Sequence, residues 1–397
     1  MSDQLQPRQK NRLWPVFVAP AIVVIIAAAW TGFWFYSASH VDDFVDGWRA
    51  REAQAGRIYD CGGRSVGGYP FRLEIRCDNA QVALVGQTAA QNEANVSLML
   101  RLSEILVVGQ IYDPKLIIAE FAGPASLGDA GRPPSVVANW RTARSSVAGT
   151  AQSPQRISLV IQEPAVDATN HGELTPIFRA KRLAIHGRPA ADSTRAAPVI
   201  ETAVQIEDGS WQGIHPLLAQ PFSGELQTRL RGLNDISPKT WPDRFRALQE
   251  AGGRIDVTLA RFTQGPLVAQ ATGALGIAPS GHLEGQLDLT VAGLDKAAAT
   301  IDVEKLLEGV PQVTLDKVAP GLKSKDLGAM IGGLDRLLPG LSGAARKSAA
   351  NAAVAGIKAL GQPATLDGRE AVLLPLKFSN GAVMVGPLQV AETSPLF

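Results

Sequence analysis

Hydrophobic and polar positions follow three successive patterns along this chain. The first is an apolar run from Leu13 to Tyr36, LWPVFVAPAIVVIIAAAWTGFWFY, without a charged residue. A helix needs about 20 apolar residues to cross the hydrocarbon core of a bilayer, so residues 14–36 are predicted to form a transmembrane helix. Pro15 and Pro20 fall in its first third, where a helix start or mild kink tolerates them. Trp14 at one end and Trp30, Trp34 and Tyr36 at the other suit interfacial positions. Two other readings stay open. Ser37-Ala38-Ser39 offers the small residues of a signal cleavage site, and a buried helix of a soluble domain is the second alternative. The run exceeds the roughly 7–15 residues of a signal core, and its basic flank is one-sided, so a retained span is the favoured reading.

The second pattern begins just after the run. In HVDDFVDGWRAREAQAG, Val41, Phe44, Val45 and Trp48 recur at helical spacing and Gly56 offers a stop, predicting a juxtamembrane helix over 41–56. It is expected to dock on the body of the protein rather than lie on the membrane. From 57 to 292 the period drops to two. In PFRLEIRCD, Phe71, Leu73, Ile75 and Cys77 alternate with Arg72, Glu74 and Arg76, the signature of a half-buried strand with Cys77 on the buried face. Two more strands flank Asp113-Pro114, 156–164 and 179–187 read as short strands, and alternating runs occupy 197–209 and 224–233. A short helix starting at Trp241 interrupts them, with glycines at its end. The strands beyond it are joined by Gln264-Gly265-Pro266 and Pro279-Ser280-Gly281, links short enough to favour antiparallel pairing. One apolar face per strand predicts a sheet covered on one side.

The third pattern is helical again, over 293–362, with Ser324 and Ser342 as candidate caps and Gly361 as the stop. Strands return over 363–397, where Asn380-Gly381 is the strongest hairpin signal in the chain, and these strands are predicted to rejoin the main sheet. The predicted fold class is α+β: one amino-terminal transmembrane helix, a large, mainly antiparallel β-sheet ectodomain, and a helical segment before the C-terminal hairpin.

Charge sets the orientation. Arg8, Lys10 and Arg12 precede the apolar run; Asp42, Asp43 and Asp46 follow it. Basic flanks stay cytoplasmic, so residues 1–13 are expected in the cytoplasm and the ectodomain on the far side of the membrane. Over the 397 residues, 38 Lys and Arg nearly cancel 37 Asp and Glu, which removes the electrostatic basis for nucleic-acid binding. Cys61 and Cys77 are the two cysteines. In an oxidising compartment a disulfide between them is the natural reading, worth about 3 kcal/mol for a loop of this length; two buried free thiols are the alternative.

Candidate chemistry is sparse. Gly63-Arg64-Ser65-Val66-Gly67 matches G-x-S-x-G, which in a hydrolase is a strained strand–turn–helix elbow. Here a strand-like run follows where the helix must begin, and Tyr69-Pro70 opposes helix formation. His40, His171, His186, His215 and His282 form no H-E-x-x-H or close pair, so no metal site is expected. Asp42, Asp43 and Asp46 fit helix amino-terminal charge better than a carboxylate site. Arg72, Glu74 and Arg76 could meet an anionic head group, but a solvated strand face is the simpler reading. Asn95-Val96-Ser97 is a formal glycosylation sequon and carries no argument here. No Walker loop occurs, and no G-x-G-x-x-G follows a strand. No catalytic, cofactor-binding or metal residue is therefore assigned, and a non-enzymatic role is expected.

The anchored start, GGYPFRLEIRCDNA at 67–80, QIYDPKLIIAEFAGP at 110–124 and LKFSNGAVMVGPLQV at 376–390, taken in this order, resemble the bacterial family known as domain of unknown function 2125. More loosely, residues 273–295 are similar to strand–turn–strand passages of AsmA-like envelope proteins, which are anchored, β-rich and associated with lipid traffic. The first resemblance implies no catalytic residues; the second is an analogy of fold. Three expectations follow: a carrier of lipid or another amphiphile on an apolar sheet face, a structural or protein-binding module of the envelope, and, remotely, a hydrolase using Ser65.

Overall fold

The structure, a computed structural model, describes residues 14–54, 56–86, 95–150, 153–170, 172–194, 196–214, 217–234, 241–294, 354–356 and 358–397. The apolar run forms α1 (Trp14–Ser39), which continues three residues past the predicted end at Tyr36. The amphipathic stretch after it forms α2 (Val41–Gln54). Gly56 follows in the left-handed region at φ 75°, where a β-carbon is disfavoured, and turns the chain into the sheet.

Among the described residues twenty strands follow, all in one antiparallel sheet. The first group is β1 (Arg57–Asp60), β2 (Gly63–Gly67), β3 (Arg72–Gly86), β4 (Asn95–Gln110) and β5 (Leu116–Gly128). Next come β6 (Val136–Asn139), β7 (Thr142–Thr150), β8 (Ser153–Gln162), β9 (Ala165–Asn170), β10 (Glu173–Arg179) and β11 (Arg182–Pro189). Then β12 (Val199–Trp211), β13 (Phe222–Arg231), β14 (Arg254–Gln264), β15 (Leu267–Ile277) and β16 (Leu283–Ala292). The chain ends with β17 (Gln362–Leu366), β18 (Arg369–Ser379), β19 (Ala382–Val385) and β20 (Leu388–Glu392). A short helix, α3 (Trp241–Glu250), lies between β13 and β14 and buries Leu248.

Most strands pair with their neighbours in sequence, as short links require. Where the order departs, β7 and β6 lie end to end beside β5, continuing into β8 and β9 and then β11 and β10, which both meet β12. From β12 the sheet runs in sequence to β16. Strand β18 then pairs with β16 from Gly285↔Phe378 to Ala292↔Ala371, so the C-terminal strands rejoin the sheet as the pattern predicted. The β18–β19 turn has Asn380 and Gly381 at φ 51° and 82°, both positive, as the favoured two-residue hairpin demands. Of the predicted helical segment, 295–353 lies outside the described residues; 354–356 and 358–360 are helical.

One expectation is corrected. The alternation does segregate apolar and polar faces, but the described residues leave the apolar face only partly covered. Phe71 is exposed and Leu73, Ile75 and Cys77 are only half-buried. Among the described residues no large side chain is fully buried. Alternation reports that one side of a strand is apolar; it does not report whether a second layer lies on it.

Candidate functional site

Directly opposed residues of antiparallel neighbours point to the same face, so the register defines rows running across the strands. One row passes through twelve strands: Ile75, Val107, Ala119, Ser145, Leu159, Ile185, Val204, Leu226, Ala260, Ala271, Leu289 and Leu374. A second, beside it, reads Cys77, Ile105, Phe121, Ala143, Ile161, Leu183, Ile206, Gly224, Phe262, Ala269, Val291 and Val372. A third, on the other side of the first, runs from Leu73 through Gly109, Ile117, Val147, Ile157 and Gly187 to Val257, Gly273, Leu287 and Leu376. Between Gly187 and Val257 it passes Thr202 and Thr228, whose hydroxyls bond each other at 2.6 Å. None of these rows contains a charged side chain. At the usual strand spacing and rise, the strip is on the order of 50 Å long and about 14 Å wide.

Exposure varies along the strip. Ile117, Ile157, Ile185 and Leu226 are 39%, 47%, 39% and 40% exposed. Toward β16 and β18 the strip closes: Val291, Val372 and Leu374 join Leu294, Val354 and Val385 in a buried cluster. Between these regions lies an apolar groove of about 360 Å³, floored by Val204, Leu226, Ala260, Phe262 and Leu289.

The opposite face carries the charge, in cross-strand pairs. Arg144 meets Glu120 at 2.9 Å, Arg182 meets Glu207 at 3.0 Å, Arg188 meets Glu201 at 2.9 Å and Arg231 meets Asp256 at 3.0 Å. Burial alone would raise the Asp256 carboxyl, but hydrogen bonds and charge from Arg231 and Arg254 hold it below the ordinary value. A larger depression of about 820 Å³ opens near Arg254, Glu284, Asp288 and Lys377. Its mixed charges select no ligand class, so the apolar strip is the stronger candidate despite its smaller groove.

The strip's first strands are fastened to α1. Trp30 Nε1 donates to the Pro70 carbonyl at 2.8 Å and Trp34 Nε1 to the Arg72 carbonyl at 2.9 Å. Thr31 and Tyr69 share a hydroxyl hydrogen bond of 2.8 Å. Helix α2 docks as expected, through Trp48 on Tyr59 and Arg49 Nε to the Tyr59 carbonyl. Arg64 bridges Asp42 at 3.0 Å and Asp46 at 2.9 Å. Its hydrogen bond and charge keep the Asp46 carboxyl below the usual carboxylate range.

The match to a profile of uncharacterized proteins conserved in bacteria, domain of unknown function 2125, runs over residues 34–394. The chain belongs to this family. The family's region takes in the end of α1, the docked turn at 68–72 and every strand of the described residues, so the apolar strip lies within it. No curated protein matches the chain.

The residues singled out from the sequence take these places. Cys61 and Cys77 form a disulfide that ties the β1–β2 link to β3. Ser65 is an exposed residue of β2 opposite Arg76, in a regular ladder rather than an elbow. Asp42 and Asp46 face Arg64, and among the described residues no group of three or more His, Cys, Asp or Glu could hold a metal ion. Arg72 and Arg76 pair with Glu74 and Glu104. His40 Nδ1 lies 2.8 Å from the Tyr36 carbonyl, His186 Nδ1 3.0 Å from the Ser158 hydroxyl and His282 Nδ1 3.2 Å from that of Ser280. His171 and His215 lie outside the described residues. Sequence reasoning missed the continuity of the rows and the clasp between α1 and the β2–β3 turn.

Proposed function

We propose that this protein is a membrane-anchored carrier that holds the acyl chains of a lipid or another amphiphile along its apolar strip. The observation that carries the reading is the strip itself: three rows in register across twelve strands, uncharged, and half-exposed from Ile117 to Leu226. A soluble protein rarely leaves so long an apolar surface without a partner. Acyl burial is driven by about 0.8 kcal/mol per CH₂, so the role needs no catalytic group. Helix α1 is long and apolar enough to span a bilayer. Residues 8–12 supply the basic flank that would keep the amino terminus cytoplasmic. The ectodomain then stands in the periplasm of a bacterial inner membrane, where the Cys61–Cys77 bond is at home. The looser likeness of residues 273–295 to AsmA-like proteins points the same way, by analogy of fold.

The test is a photo-crosslinking residue at Leu226 or Ile157 in the full chain, expressed in a Gram-negative host, with adducts weighed by mass spectrometry. Lipid-mass adducts are expected there and not at Gln227, on the opposite face. Adducts to a partner protein at those sites would favour the interaction-module reading, and crosslinks to this chain's own residues 295–353 would defeat both.

A further inference from the structure

We propose that the β2–β3 turn, residues 68–72, is itself inserted in the bilayer beside α1, so that the apolar strip begins at membrane depth. The inference rests on α1 being a membrane span, but not on what occupies the strip. No charged residue lies between Arg12 and Asp42, and about 20 residues of helix fill the hydrocarbon. Every window of that length between those two charges contains Trp30. The Trp30 indole donates to the Pro70 carbonyl at 2.8 Å, which places the turn at the same depth.

The chemistry of the turn suits that depth. Polar groups in hydrocarbon must be satisfied within the protein. Here the Pro70 and Arg72 carbonyls accept from the two indoles, the Tyr69 hydroxyl pairs with Thr31, and the Arg72 N–H closes the turn on the Gly68 carbonyl. The aromatic rings face outward: Tyr69 is 54% exposed and Phe71 61%, beside the exposed Phe33 and Phe35 of α1. Tyrosine and tryptophan, here Tyr69, Trp30 and Trp34, are enriched at the membrane interface. The Arg72 guanidinium, paired with Glu74 at 2.7 Å, can reach the head groups on its flexible stem. Leu73 and Ile75, which open two rows of the strip, follow immediately. A chain leaving the leaflet beside the turn therefore meets apolar side chains with no intervening polar surface. The partner is the bilayer, through its acyl chains.

The experiment places a benzophenone-bearing phenylalanine at Phe71, and separately at Tyr69, in the full chain reconstituted into vesicles of phosphatidylethanolamine and phosphatidylglycerol. Val24, in α1, is the positive site, and Leu174, exposed on β10, the negative one. Lipid adducts at Phe71 and Tyr69 approaching those at Val24, and several-fold above Leu174, are the expected result. Adducts at Val24 but at background in the turn would overturn the inference and leave the anchor standing. Background labelling at Val24 as well would overturn both. Adducts in the turn with none at Leu226 would uphold the inserted turn while defeating the carrier reading.

Discussion

Trp34 donates its indole N–H to the main-chain carbonyl of Arg72 across a sequence separation of 38 residues, and is itself 6% exposed. The contact joins the end of α1 to the first long strand of the sheet. Trp34→Phe keeps the ring but leaves that carbonyl without its donor. A loss of about 1–2 kcal/mol is expected, read as a lower melting temperature of the full chain in nanodiscs, with faster proteolysis at the turn.

The disulfide closes a loop with a sequence separation of 16. Replacing both Cys61 and Cys77 by Ser should cost about 3 kcal/mol through the freer unfolded chain. Reductant should lower the melting temperature of the parent protein by a similar amount and leave the double variant unchanged.

Arg261 of β14 hydrogen-bonds Asp367 in the β17–β18 turn, with one contact at 3.3 Å. That hydrogen bond, and then the guanidinium charge, hold the Asp367 carboxyl below its ordinary 3.8. The native state thus takes up this proton at lower pH than the unfolded chain does. The pair's stabilisation is complete above the ordinary carboxylate value and is lost as pH falls through and below it. Asp367→Asn should melt below the parent at neutral pH, and the two curves should converge on acidification. Melting temperatures across a pH series check the sign.

These three contacts differ in how far the sequence announced them. The strand holding Cys77 was legible because a period of two is a local property, and so was the turn at Asn380, where only a few residues tolerate positive φ. The return of β18 to β16 was legible because a strand pattern needs a partner. The rows were not. Alternation says that Leu226 and Leu374 each have an apolar side, but only register puts them in one line, and register depends on every intervening pairing. Coverage is not legible for a related reason: whether Cys77 is buried depends on what lies above the sheet, which no single strand encodes. The Trp34–Arg72 contact had no periodic signal at all.

Unequal coverage gives a graded prediction. Leu374 is 9% exposed within the closed end of the strip and Leu226 is 40% exposed in its open part. Leu374→Ala should cost about 2–5 kcal/mol and Leu226→Ala nearer 1 kcal/mol, measured by denaturant unfolding. Equal costs would mean that the open part is covered.

Gly273 tests the geometry of the strip directly. It sits at φ 148°, and a β-carbon there would lie 2.2 Å from the Gln286 carbonyl oxygen on β16. Gly273→Ala should destabilise by about 2 kcal/mol or more, since backbone rather than a movable side chain stands in the way. The same unfolding assay reads it.

The sequential pairing of β12 to β16 makes reach a matter of counting. Each additional hairpin lengthens such a ribbon by about 10 Å. Because a hairpin returns the chain to the same end of the strands with its in–out parity intact, a duplicated unit extends the greasy lane without re-aiming any side chain already in it.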